Sequence, residues 1–152
     1  MAEPLGTDKT LPAGQDLRLK AEDADDLAVI SACLQDAIVR DEDLAYDRRG
    51  HRFALIASRY CRESGDGRRA RSLLRFDSVL SVQCRDWTAR APEAAARPLL
   101  ALDVAPRDEG AADITLIFGG GGMIRLGVEC IDVILKDLGQ SWATGTRPDH
   151  GL

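Results

Sequence analysis

Residues 113–128, DITLIFGGGGMIRLGV, decide the class of fold. Successive side chains of an extended chain point to opposite faces, so Ile114, Leu116 and Phe118 share one face, and Ile124, Leu126 and Val128 share it again on the return. Between the two runs, Gly119 to Gly122 reverse the chain, because glycine reaches the positive φ that a tight hairpin requires. Four glycines also suggest a phosphate cradle. That reading fails on context: a P-loop is G-x-x-x-x-G-K-[ST] between a strand and a helix, whereas FGGGGMIRL runs from strand to strand without the Lys and Ser/Thr. Asp113, Arg125 and Glu129 alternate with apolar neighbours and read as the solvated face of the hairpin, since no nucleophile or base is linked to them.

The pattern extends outward in both directions. On the C-terminal side, Ile131, Ile134, Leu135 and Leu138 have the spacing of a short amphipathic helix, closed by Gly139 at the C′ position. On the N-terminal side, residues 99–104 and 79–84 are strand-length, and 88–98 is an Ala/Pro-rich surface loop. Leu74 and Phe76 alternate with Arg75, and Phe53, Leu55 and Ala57 share a face behind the turn Asp47-Arg48-Arg49-Gly50. The acids of residues 22–26 precede an apolar stripe of Leu27, Ile30, Leu34 and Ala37 or Ile38, with Cys33 alongside. This predicts a helix capped by Asp23 or Asp25 and ending near Arg40. Leu17 and Leu19 predict a short edge strand.

The expected fold is therefore α+β: a mainly antiparallel bent sheet or partial barrel of six to seven strands, with an N-terminal helix and a C-terminal helix. A doubly wound α/β sheet is excluded because strands and helices do not alternate. The order of strands followed by a terminal helix resembles pleckstrin-homology-like (PH-like) topology. The expected organisation is a flexible leader over 1–15, a single globular domain over 16–144 and a flexible tail over 145–152.

Composition fits one soluble domain: 152 residues, 45% hydrophobic and 30% charged. No stretch approaches the roughly 18 apolar residues of a membrane span, and the first residues lack the basic and apolar regions of a secretory signal. No membrane insertion and a cytoplasmic location are expected. Cys33, Cys61, Cys84 and Cys130 form no C-x-x-C pair and have no histidine at zinc-ligand spacing, so no metal is expected, and Cys33 on the helical stripe and Cys84 at the end of a strand-like run read as small buried hydrophobes. His51 falls in a turn and His150 near the C-terminus. With no G-x-S-x-G elbow and no cofactor loop, the sequence points to no catalytic residue and no cofactor.

The charge is uneven. The net charge of −5 argues against general binding of nucleic acid. Between Arg48 and Arg75, however, nine arginines face only Glu63 and Asp66, a local charge of +7 that leaves −12 for the rest. Arginine forks match carboxylate and phosphate, so Arg68, Arg69, Arg71 and Arg75 are the candidate partner-binding residues. Strand alternation decides whether they share a face.

The segments DADDLAVISACLQDAIVRDEDLAY (23–46), RRGHRFALIASRY (48–60), LLRFDSVLSV (73–82) and DITLIFGGGGMIRLGVECIDVILKDLGQSWAT (113–144) resemble an uncharacterised proteobacterial family known only as a domain of unknown function. The resemblance spans about residues 17–148. It implies a bacterial cytosolic setting and transfers no activity, substrate or catalytic residue.

Two functional classes follow. The first is a non-enzymatic binding or accessory module whose Arg-rich surface recognises an acidic protein or a phosphate group. A homo-oligomer formed through a sheet edge is a variant of it. The second is a small metabolite-binding protein or enzyme for an anionic substrate, bound by Arg52, Arg75 or Arg125, with Asp77 or Glu129 handling protons.

Overall fold

Alternation between apolar and polar residues runs through most of this chain, and the fold that results is almost entirely sheet. A computed structural model of the protein describes residues 17–61, 67–88 and 95–143, with side chains as far as Gly139. The elements are β1 (Arg18–Ala21), α1 (Ala24–Leu34), β2 (Ala37–Asp47), β3 (Arg52–Tyr60), β4 (Arg68–Phe76), β5 (Val79–Arg85), β6 (Ala96–Pro106), β7 (Ala112–Phe118), β8 (Met123–Val128) and β9 (Val133–Ala143). The nine strands form one open antiparallel sheet in the order β1-β9-β4-β3-β2-β6-β7-β8-β5. The expected leader and tail, the loop over 62–66, the centre of the Ala/Pro-rich segment at 89–94, and His150 lie outside the described residues.

The topology is close to a two-fold exchange. Two meanders, β2-β3-β4 and β6-β7-β8, meet at the β2·β6 pair. The strand that follows each meander crosses to the other one: β5 leaves β4 and pairs with β8, while β9 leaves β8 and pairs with β4. The two crossings are tied together. Asp77 N–H donates to the Asp132 carbonyl at 2.9 Å, and Glu129 N–H donates to the Ser78 carbonyl at 2.9 Å. The sheet therefore curls until its two halves meet, and one core fills its inner face. That core includes Phe53, Leu55, Leu74, Phe76, Ile114, Leu116, Leu126 and Leu135.

The helix α1 covers this core. Asp23 caps it, accepting from the Asp26 N–H at 2.8 Å, and Leu27, Ile30 and Leu34 are buried beneath it. The expected continuation to Arg40 is corrected. The helix stops at Leu34 because Asp36 turns with φ 68° and its N–H bonds the Leu99 carbonyl of β6 at 2.8 Å. β-branched Ile38 and Val39 then favour the strand that follows.

The larger correction is at the C-terminus. Residues 131–138 are not a helix, and with it falls the α+β class and the PH-like arrangement in which a terminal helix plugs the sheet. Val133 to Ala143 form β9, with Val133, Leu135 and Asp137 facing inward and Ile134, Lys136 and Leu138 facing outward. A short apolar run of this kind fits both periods. Pairing selects the strand, because β9 supplies hydrogen-bond partners to both β4 and β1, which a helix cannot do. Gly139, read as a helix terminator, instead has φ 76° where the β4·β9 register shifts between Arg69 and Arg71. The strand count rises from six or seven to nine among the described residues.

The hairpin over 113–128 forms as its pattern predicts, β7 pairing with β8 from Ala112↔Val128 to Ile117↔Met123. Glycine is required there by close approach as well as by turning. A Cβ at Gly119 would lie 2.6 Å from the Pro98 ring, and one at Gly122 would lie 3.0 Å from the Trp87 ring.

Candidate functional site

Two arginines are built into the interior, and sequence reading assigned neither to it. On β3 the inward set Phe53, Leu55 and Ala57 continues to Arg59, which is 1% exposed. Its Nε donates to Asp137 Oδ1 at 2.9 Å and its Nη2 to Oδ2 at 2.8 Å. Ser72 Oγ adds a bond to Oδ1 at 2.6 Å, and the Leu17 N–H one to Oδ2 at 3.0 Å. Burial pushes the Asp137 carboxyl up, but the bonds from Arg59 and Ser72, the Arg59 charge and the Leu17 N–H outweigh it and hold the group below its ordinary value. The carboxylate joins β1, β3, β4 and β9, with every good acceptor direction filled.

The second is Arg97, also 1% exposed, on β6. A register shift in β2 between Val39 and Leu44 throws Asp41 out of the regular ladder. Asp41 takes Arg97 Nε at 2.7 Å and Nη2 at 2.9 Å, and Nη2 also donates to the Thr88 carbonyl at 2.7 Å. The Asp41 bond raises the guanidinium above its usual range against the opposing effect of burial. The Arg97 plane lies 3.8 Å from the Trp87 ring centroid, and Trp87 meets Phe118 edge-on at 5.2 Å. Parity was the available signal at both sites, since Arg59 and Arg97 alternate in step with Leu55 and Leu99.

The four arginines predicted on β4 do not act as one group. Arg69, Arg71 and Arg75 lie on its outer face, while Arg68 belongs to the alternate set with Ala70. Arg69 is tied to Ser58, Nε to Oγ at 3.0 Å and Nη2 to the carbonyl at 2.5 Å, and stands over the Tyr60 ring at 5.4 Å. Arg75 shares Asp77 with Arg52, at 3.1 and 3.2 Å. The Arg71 side chain is exposed and has no ion-pair or hydrogen-bond partner among the described residues.

Register gives Arg71 other company. On the outer face Arg18 of β1 stands opposite Lys136 of β9, and Lys136 opposite Leu73 of β4. Arg71 and Arg75 are therefore the diagonal neighbours of Lys136, about 7–8 Å away between backbones. Lys20 lies beside them, paired with Glu22 at 3.3 Å. Arg18 and Lys136 are exposed and, like Arg71, have no such partner among the described residues. Sequence reading missed this pair because Lys136 was placed on a helix.

The residues of the metabolite reading divide. Arg52, Arg75 and Asp77 do come together, but as a surface ion-pair group, whereas Arg125 is held by Gln83 Oε1 at 3.2 and 2.7 Å and Glu129 is exposed at the crossing. All four cysteines are free thiols: Cys61 is buried, Cys33 half-buried, and Cys84 and Cys130 exposed, which corrects the expectation of burial for Cys84. Among the described residues there is no cluster of three His, Cys, Asp or Glu side chains able to hold a metal ion, and no helix long and apolar enough to cross a membrane.

No curated protein matches the chain. Residues 17–150 match a family described as protein of unknown function (DUF2948), and the chain belongs to that family.

Proposed function

We propose that the protein is a non-enzymatic cytoplasmic docking module that binds an acidic protein surface on the outer face of β1, β9, β4 and β3. The observation behind this reading is the set Arg18, Lys136 and Arg71, three cations on adjoining strands whose side chains have no neutralising partner among the described residues, in a protein whose net charge is −5. Like charges directly opposite each other in an antiparallel pair cost stability, and Arg18 and Lys136 are so placed. An acidic partner removes that cost. The two carboxylates paired with interior arginines, Asp137 and Asp41, are engaged in bidentate bonds rather than offered to a substrate. Four free thiols accord with a reducing compartment.

The test is affinity capture after crosslinking in the native cells, at low and moderate salt, with the wild type and an R18E/R71E/K136E variant. A stoichiometric acidic partner is expected with the wild type, weakened by salt and lost from the variant, as charge complementarity requires. Equal recovery by both proteins overturns the reading, as does the absence of any partner. A second readout separates docking from folding. Lys136→Glu places opposite charges across β1·β9, so it should raise stability by about 0.2–1 kcal/mol in urea denaturation while weakening capture.

A further inference from the structure

We infer that the free edge of β5 takes an extended acidic peptide as a tenth strand. This surface is separate from the basic outer face of β1, β9, β4 and β3.

The two edges of the sheet are built differently. β1 has four residues, two of them the cations Arg18 and Lys20, which is how proteins discourage further pairing at an edge. β5 has seven residues, and none is charged or proline from Val79 to Cys84. Among the described residues it pairs only with β8, leaving its outer N–H and C=O groups open along Leu80 to Arg85, and Leu80 is 57% exposed. Its start is fixed, because Val79 N–H donates to the His51 carbonyl at 2.8 Å and so sets the tip of the β2–β3 hairpin beside the strand.

Two open grooves adjoin β5 and meet at Gln83. One, of about 360 Å³, passes Leu80 and Val82 towards Arg48 and His51. The other, of about 610 Å³, lies over the sheet face across β5, β8 and β7, where Cys84 and Arg85 adjoin Met123, Arg125 and Thr115. Among the described residues no carboxylate lines either groove, and the charged groups that do are Arg48, Arg85 and Arg125. Arg125 is held by the neutral Gln83 amide, so it is positioned without being neutralised. The guanidinium groups of Arg48 and Arg85 have no ion-pair or hydrogen-bond partner among the described residues. A strand laid on β5 thus finds backbone partners along its length and positive charge at both ends, with Ser81 and Arg85 about 13 Å apart at 3.3 Å per residue.

Charge also selects the occupant. A second copy pairing antiparallel through β5 would bring Arg85 of each chain towards Arg48 of the other, like charge against like. An extended segment with carboxylates about four residues apart meets them instead, by the same strand addition that other peptide-binding sheets use.

The probe is a synthetic nine-residue peptide of alternating threonine and valine with glutamate at its third and seventh positions. Fluorescence anisotropy should show saturable binding. Replacing the glutamates by glutamine should weaken it at least tenfold, and N-methylation along one edge of the peptide should abolish it, because that removes backbone pairing and keeps the charge. An R85E/R125E variant should lose at least tenfold, while R18E/R71E/K136E should bind as the wild type does. Hydrogen exchange should slow at amides of residues 80–85 when the peptide is present. No binding, equal binding of the glutamine peptide, or protection elsewhere overturns the proposal. So does protection of β5 without peptide accompanied by dimerisation in sedimentation, which would assign the edge to a second copy. Because the basic face and the β5 edge are changed by different variants, failure of one does not imply failure of the other.

Discussion

Asp137 is the only buried carboxylate among the described residues. It is nearly enclosed, and Arg59, Ser72 and the Leu17 N–H between them fill its acceptor sites. Removing one member of a buried ion pair leaves the other charge without compensation, which costs about 3–5 kcal/mol. Asp137→Ala is therefore expected to lower the unfolding free energy by that amount in urea denaturation, whereas an R59M/D137L variant should recover much of the loss by replacing both charges with packed apolar groups. The pH dependence has a definite sign. A carboxyl group whose folded value lies below its unfolded value of 3.8 stabilises the protein above that pH, and the contribution disappears as pH falls through it towards the folded value. Wild-type stability should drop on acidification in this range, and Asp137→Asn should start lower and show a shallower drop. A parallel decline in both proteins would mean that Asp137 is not the group responsible.

At the scale of elements, the correction from helix to strand over residues 131–138 reaches further than one element. The apolar positions Ile131, Ile134, Leu135 and Leu138 satisfy a helical stripe, while Val133, Leu135 and Asp137 satisfy strand alternation only if an acid is admitted to the inner face. An inward acid is implausible until Arg59 is recognised as inward too. The alternation on β3 already says so, but the partner lies 78 residues away in sequence. Local hairpins such as β7–β8 were legible because their pairing partners are adjacent in sequence and their turns have a definite chemistry. The pairings of β9 with β1 and β4 were not, because nothing local encodes them. The same gap hid the basic face: Arg71 was visible as a cation, but Arg18 and Lys136 join it only through β9. A substitution separates the two readings of this segment. At outward-facing Ile134, threonine should be more stable than alanine by up to about 1 kcal/mol if the segment is a strand, since β-branched side chains fit a pleated surface. In a helix the order reverses. Thermal denaturation of I134T and I134A measures it directly, and greater stability of the alanine variant would refute the strand.

For the whole molecule the question is whether two meanders joined at a narrow midline behave as two units or one. The register at that midline, β2·β6, covers four pairs, from Ala37↔Leu99 to Arg40↔Ala96. Judged by this junction alone, the halves would separate. The crossing strands oppose separation, because β5 and β9 each belong to one half by sequence and to the other by pairing. The reciprocal bonds between Asp77 and Asp132 and between Glu129 and Ser78 link the crossings, and one core joins side chains from both meanders. Unfolding should accordingly be a single cooperative transition. Trp87 lies beside Phe118 at the end of the second meander, and Trp142 falls on β9 opposite Arg69 of the first. In W87F the remaining tryptophan reports on one half, and in W142F on the other. Within each variant the fluorescence midpoint in urea should coincide with that of far-UV circular dichroism, even though W87F is the less stable for losing the ring against Arg97. Separate midpoints for the two probes would show that the midline is a true boundary and that strand exchange does not unite the halves. Since β1 pairs with β9 across more than a hundred residues, refolding should also be slow for a domain of this size, on the order of milliseconds to seconds. Both signals should recover in the same phase.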